Sequence, residues 1–322
     1  MRIWVTGCNG FLGSLFCHIA REGKDQVLGT LRSPQFVLEG CETKILDIRD
    51  FNASLEIGKA FKPDAIIHCA RYTVGVGEGE RDREATFQIN AMGTRNLAHC
   101  AERIGAVFVY FSTDWIFNGR KPIGEKYKED EDPCPLSYYG FTKLAGEQEV
   151  AMTKGQWLIL RPANIYGVHA LFLDPSVRKG KELMTRTSWT HKMAAKIEQG
   201  EKIGLPDSLY QSPILANHLV EVTLRLLKEG KTGIFHVAGR DGVSRYQFMR
   251  SLAERFGFDP DLVIRTSLKD LEKSWDVPEG LTGTLPENVC LDVGKVEKIL
   301  GINMMTLSDG LSKMKDYFFR AK

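Results

Sequence analysis

Short apolar runs and longer segments of helical periodicity alternate along the first half of the chain. Ile3–Val5, Val27–Leu31, Ile45–Leu46, Ala65–His68, Val107–Phe111 and Leu158–Leu160 have the length and apolar character of strands. Between them, residues 11–22, 50–60, 83–104 and 139–154 have the length and spacing of helices. Segment 83–104 puts Phe87, Ile89, Met92, Leu97 and Ile104 roughly on one side, as a helix lying on a sheet requires. The alternation predicts an α/β fold of Rossmann type, a doubly wound parallel sheet covered by helices on both faces.

After Arg161 the pattern loosens, and residues 168–190 mix Gly, Pro, Lys and Arg. A second rhythm follows, with helical spacing at Leu219–Leu227 and a strand at Ile234–Val237. Ser244 with Gln247 three residues later is a capping box, opening a helix over Tyr246–Phe256. Residues 267–288 are irregular, and Asp292 is placed to cap a short helix over Lys295–Leu300. The expected organisation is a sheet domain over residues 1–165, with 205–240 returning to its sheet. Residues 166–204 and 241–322 then form a smaller lobe. There is no internal repeat.

Composition narrows the class. The 322 residues are 43% hydrophobic, enough for a large core, and the net charge of +2 lacks the basic footprint of a nucleic-acid binder. The seven cysteines are scattered with no CxxC pair, which reads as free thiols and no metal site. No apolar run approaches the roughly 18–20 residues of a membrane span, and because Ile3-Trp4-Val5 runs straight into a glycine loop no signal peptide is expected. The expected location is the cytoplasm.

That loop is Thr6-Gly7-Cys8-Asn9-Gly10-Phe11-Leu12-Gly13, between the first strand and the first helix. The first glycine of GxxGxxG permits a tight turn, the second a close approach of a pyrophosphate, the third close packing of helix on strand. The second strand ends in Gly29-Thr30-Leu31-Arg32-Ser33, where an acidic residue would select NAD. Arg32 instead suits a 2′-phosphate and Ser33 adds a donor, so NADP(H) is the preferred cofactor and NAD(H) the alternative. Asp47 either accepts from the adenine amino group or caps the next turn.

Tyr139 and Lys143 are four residues apart and share a helix face. A phenol is a weak acid near pH 7 unless a cation stabilises its phenolate, and Lys143 is placed to do so. Thr113 closes the fifth strand, where a hydroxyl could polarise a substrate carbonyl.

In order along the chain, these motifs resemble the extended short-chain dehydrogenase/reductases, and within them the dTDP-4-dehydrorhamnose reductase family. Ser112-Thr113-Asp114-Trp115-Ile116-Phe117-Asn118-Gly119 is similar to that family's STDYVFDG, and Tyr139-Gly140-Phe141-Thr142-Lys143-Leu144-Ala145-Gly146-Glu147 to its YGxTKLAGE. The resemblance implies reduction of the keto group of a nucleotide-linked 4-keto-6-deoxy sugar, in deoxysugar or polysaccharide biosynthesis, with Thr113, Tyr139 and Lys143 catalytic. It implies cofactor contacts from Gly7, Asn9, Gly10, Phe11, Leu12 and Gly13 of the loop and from Arg32, Ser33, Asp47 and Ile48. Cys69, Ala70, Arg71 and Asn90, with Tyr139 and Lys143, complete that set. Tyr72, Asp114, Trp115, Asn164 and His169 are the implied substrate contacts, and Arg178, Lys179 and Lys181 candidates for the substrate diphosphate. A homodimer is one option for the assembly.

The chain departs from the family at Trp115, where a tyrosine is usual, and in the glycine-rich stretch Val74–Glu80. His169 resembles the histidine acid of GDP-fucose synthase, but Trp115 stands where its cysteine partner would be. Trp115 also replaces the glutamate that a 4,6-dehydratase needs. Two alternatives stay open. One is a sugar-nucleotide epimerase. The other is a non-catalytic, NADP-binding regulatory subunit like the β subunit of methionine adenosyltransferase, which shares the His68-Cys69-Ala70 strand end.

Overall fold

The computed structural model describes residues 1–33, 40–72, 80–170, 173, 188–267, 270 and 285–320, the last without its side chain. The basic candidates Arg178, Lys179 and Lys181, and residues 74–79 of the glycine-rich stretch, lie outside the described residues.

The chain begins β1 (Arg2–Thr6), α1 (Phe11–Glu22), β2 (Gln26–Leu31), β3 (Glu42–Ile45), α2 (Phe51–Phe61), β4 (Ala65–His68). There follow α3 (Arg83–Phe87), a π turn (Gln88–Met92), α4 (Gly93–Ile104), β5 (Val107–Phe111), α5 (Tyr138–Ala151) and β6 (Trp157–Arg161). The second half contains β7 (Ile165–Tyr166), α6 (Trp189–Glu198), β8 (Ile203–Pro206), β9 (Tyr210–Gln211), β10 (Ile214–Leu215), α7 (Ala216–Lys228), β11 (Gly233–His236) and β12 (Val243–Ser244). It ends with α8 (Arg245–Phe256), β13 (Val263–Thr266), α9 (Gly294–Leu300) and α10 (Leu307–Arg320).

Seven strands form one sheet in the order β11-β6-β5-β4-β1-β2-β3, every pair parallel. The order reverses beside β1, which opens a crevice at the carboxyl ends of β1 and β4. Side chains alternate across the sheet as strand geometry dictates. Ile3, Val5, Ile67, Val109, Leu158 and Leu160 pack into one layer with α1 and α7. Trp4, Leu28, Ile66, Phe108, Tyr110 and Ile159 pack into the other with α4. The lobe has its own core of Ile203, Leu205, Phe248, Leu252, Phe256, Val263, Leu311 and Phe318.

Two expectations shift. The third strand is Glu42–Ile45, not Ile45–Leu46; it is the sheet edge, largely solvated, so it carries no apolar alternation. The helix over 83–104 is interrupted by the π turn, which inserts a residue into the helical phase. Ile203–Pro206 pairs with Val263–Thr266 in the lobe, and within 205–240 it is β11 that joins the sheet. The capping box at Ser244 and Gln247 is formed in both directions. The Asp292 carboxylate accepts from the Gly294 amide (2.8 Å) at the mouth of α9.

Candidate functional site

The glycine loop is shaped by backbone, not by side chains. Gly7 has φ +64°, and a Cβ there would lie 2.9 Å from the backbone of Ala70. A Cβ on Gly13 would collide with the Gly7 carbonyl. Gly10 precedes α1, and no side chain caps that helix. An uncapped helix N-terminus behind a glycine turn is a ready anion site. Arg32 and Ser33 are exposed at the end of β2. These residues fit the phosphates of a dinucleotide. Asp47, by contrast, pairs with Arg49 (2.5 Å), which holds its carboxyl below the usual range. Asp50 takes the helix-capping role, accepting from Ala53 at 2.9 Å. Ile48 is buried, and its side chain fills the space over Gly93.

Beneath the loop runs a chain of hydrogen bonds whose direction is forced. The Ala70 amide donates to Thr6 Oγ1 (3.2 Å), and Thr6 Oγ1 meets His68 Nδ1 at 2.8 Å. His68 Nε2 meets Thr94 Oγ1 at 3.1 Å, and Thr94 donates to the Asn90 carbonyl at 2.7 Å. A hydroxyl has one proton to give. Thr94 gives its proton to Asn90, so His68 donates from Nε2 and accepts from Thr6 at Nδ1. Burial, helped by the Lys143 cation, pushes His68 down to about 3, so the ring is neutral, as this pattern demands. Asn90 sits on the π turn. Its Oδ1 accepts from the Tyr72 amide (2.9 Å) and its Nδ2 donates to Thr142 Oγ1 (3.2 Å). Asn90 is buried and commits both ends of its side chain to protein, so it ties the strand-end loop to α5.

Ser137 caps α5, accepting from the Gly140 amide, and the helix carries Tyr139 and Lys143 on one face. The Tyr139 phenol lies beside Thr113, and Trp115 stands edge-on to its ring, centroids 6.3 Å apart. Thr113 in turn donates to Asp114 Oδ1 (3.0 Å), and Gln211 Nε2 donates to Asp114 Oδ2 (2.6 Å). Thr113 thus directs its single proton at a carboxylate and accepts from the Trp115 amide at 3.3 Å. To polarise a substrate carbonyl its hydroxyl must first rotate away from Asp114. Burial pushes the Asp114 carboxyl up to about 6 against its hydrogen bonds and the Arg245 charge. Burial likewise brings Arg245 down to about 10, with Asp114 opposing.

Burial raises the Tyr139 pKa, and the cation that most opposes the rise is Arg71. Burial, reinforced by Arg71, brings Lys143 itself down to about 7. One turn on, Glu147 is held by Arg161 in a buried two-point ion pair (3.0 and 2.8 Å).

The structure therefore gathers Thr113, Asp114, Trp115, Tyr139, Lys143 and Arg71 at one end of the sheet. Tyr72 donates from its hydroxyl to Asp82 (3.0 Å). Asn164, at φ +33°, accepts from Trp189 Nε1 (2.7 Å). His169 is fully buried, with Nε2 3.4 Å from the Asn9 carbonyl, so it backs the glycine loop. Sequence reasoning missed Gln211, Arg245 and Trp189, which come from the lobe. Nothing in local spacing marks them; only the fold brings them to Asp114 and Asn164.

The fold and this site define an extended short-chain dehydrogenase/reductase. The model of the RmlD substrate binding domain family matches residues 1–318, and the chain belongs to that family. It is 30% identical to a probable low-salt glycan biosynthesis reductase, Agl14, of Haloferax volcanii, covering 99% of this chain and 98% of that one. It is 29% identical to methionine adenosyltransferase 2 subunit beta of Xenopus tropicalis, covering 95% and 84%. A crystal structure of dTDP-4-dehydrorhamnose reductase from Bacillus anthracis in complex with NADP superposes with a TM-score of 0.78, at 24% identity, covering 97% and 98%. Among the described residues no helix is long and apolar enough to cross a membrane, and no cluster of His, Cys, Asp or Glu is placed to hold a metal.

Proposed function

We propose that this chain is an NADP(H)-dependent reductase of the keto group of a nucleotide-linked 4-keto-6-deoxy sugar. The observation that carries the reading is Tyr139, a half-buried phenol beside Thr113 and Trp115, with Lys143 one turn along the same helix at the carboxyl end of the parallel sheet. Reduction needs an acid that is protonated at working pH. Burial keeps the Tyr139 proton in place, so the phenol is ready to protonate a carbonyl oxygen as it turns into an alkoxide. Arg71 then stabilises the phenolate, with Thr113 once its hydroxyl turns from Asp114, and Lys143 adds to this in the fraction of molecules where it is charged. A reduced nicotinamide bound at the glycine loop supplies the hydride. Gly7, Gly10 and Gly13 would admit its pyrophosphate, and Arg32 and Ser33 would receive a 2′-phosphate. Asp114, Trp115 and Asn164 line the side where a sugar would enter. The family membership and the similarity to a glycan biosynthesis reductase support this reading.

The test is a screen of nucleotide-linked 4-keto-6-deoxy sugars, following NADPH absorbance. Turnover of one such substrate, with NADPH preferred over NADH, is the expected result. Comparable similarity to the β subunit of methionine adenosyltransferase supports a second reading, a regulatory subunit. Tight NADPH binding with no turnover of any keto sugar would favour that reading and remove the first.

A further inference from the structure

Tyr110 has no place in the chemistry above, yet it touches Lys143 at both ends. It lies fully buried on β5, under α5. Its hydroxyl donates to the Lys143 carbonyl oxygen at 3.1 Å, and Lys143 Nζ stands 4.1 Å from the centroid of its ring. One side chain therefore meets both the backbone and the ammonium of the same lysine. The helix is cut to accept it: a Cβ on Gly146 would collide with the Tyr110 hydroxyl, so glycine there leaves room for the phenol. His68 stacks near the ring, centroids 6.0 Å apart at 22°, and being neutral it adds no competing cation.

We propose that Tyr110 is a positioning residue for Lys143, its ring face carrying the buried ammonium charge. An aromatic face is electronegative, and it attracts a cation most strongly where water is excluded. Lys143 needs such a contact. Burial and the Arg71 cation oppose its charge; Glu147 favours it, but that carboxylate is already engaged by Arg161. The other groups facing it are Cys69 beside Arg71 after β4, His68 on β4, and Tyr139 one turn earlier on α5. The contact stands on geometry alone; its effect on turnover rests on the catalytic reading of Lys143.

The test measures Lys143 ionisation directly, by NMR of the full chain labelled at the lysine ε-carbon, with the Lys143 signal assigned through Lys143→Met. Tyr110→Phe keeps the ring face, and the Lys143 midpoint should stay within a few tenths of a pH unit. Trifluorinated phenylalanine at position 110 keeps the shape and removes the negative face, and should lower the midpoint by about one pH unit. Tyr110→Leu should lower it at least as far, and the fluorinated ring decides the matter if the leucine variant does not fold. A midpoint that is the same in all of these overturns the proposal. In parallel, the alkaline limb of turnover should move with the midpoint. A midpoint that moves while turnover does not supports the Tyr110 contact and overturns the catalytic reading of Lys143.

Discussion

The glycine loop and the catalytic helix lie at the same end of the same sheet and are built on opposite rules. In the loop, Gly7 and Gly13 leave no room for even one carbon atom, and the working groups are backbone amides. On α5, Lys143 and Glu147 are charged side chains almost wholly removed from water, each engaged by a partner from a neighbouring strand, Tyr110 or Arg161. The loop is thus vulnerable to atoms added, and the helix to atoms taken away. A backbone site tolerates no bulk because its neighbours are also backbone and cannot turn aside. A buried polar site tolerates no deletion because the partner left behind keeps its desolvation penalty.

The largest effect expected from a deletion is on chemistry. Tyr139→Phe removes one oxygen and keeps the ring against Trp115. Turnover should fall about a hundred- to ten-thousand-fold, with NADPH affinity and melting temperature nearly unchanged. Steady-state kinetics beside a thermal melt check this, and near-normal turnover would sink the mechanism.

Next comes the ion pair behind the helix. Arg161→Met strands the Glu147 carboxylate in the core and should cost about 3–5 kcal/mol of stability in denaturant unfolding. Adding Glu147→Leu should restore part of that loss. If the single variant unfolds like the parent, the claim that the helix is governed by partners fails.

Addition to the loop should cost somewhat less. Gly13→Ala presses a methyl group on the Gly7 carbonyl and should destabilise by about 1–3 kcal/mol, with a matching loss of cofactor affinity seen by calorimetry. The comparison is sharpened by Gly105→Ala, where a Cβ meets nothing within 4 Å but φ is +73°. Strain alone should cost about 1 kcal/mol there and leave cofactor affinity intact.

The smallest effect is a change in the shape of the pH profile. Burial and Arg71 set Lys143 near 7, so its cation is lost as pH rises through that value. Activity should decline on the alkaline side with a midpoint near pH 7. Lys143→Met should show a lower and flatter profile, and a parent profile that is level from pH 6 to 8 would contradict the assignment.

The same contrast explains what could be read from sequence. The loop was legible because a backbone constraint leaves glycines at fixed spacing, and Tyr139 and Lys143 because both lie on one helix. The sheet was legible wherever strands are buried on both faces. It was misread at Glu42–Ile45, where an edge strand is largely solvated and has no apolar signature. The lobe was the least legible part. Its α6 and α10 went unnoticed, and β7, β9, β10 and β12 are two residues long, too short for any period to register. The partners of the site were hidden for a related reason. Gln211 lies 97 residues from the Asp114 it bonds, and Tyr110 is an ordinary strand residue until α5 is laid over it.

The hydrogen-bond chain from Ala70 to Asn90 has a further consequence. Each hydroxyl gives away its only proton and the ring donates from Nε2 while accepting at Nδ1, so the order of donors reads in one direction from end to end. No link can reverse unless its neighbours reverse with it. The segment carries no net charge, yet it works as a latch with a single closed setting. It fixes the wall against which Gly7 turns and the π turn that braces Thr142, so the two halves of the crevice are registered to each other through a neutral imidazole.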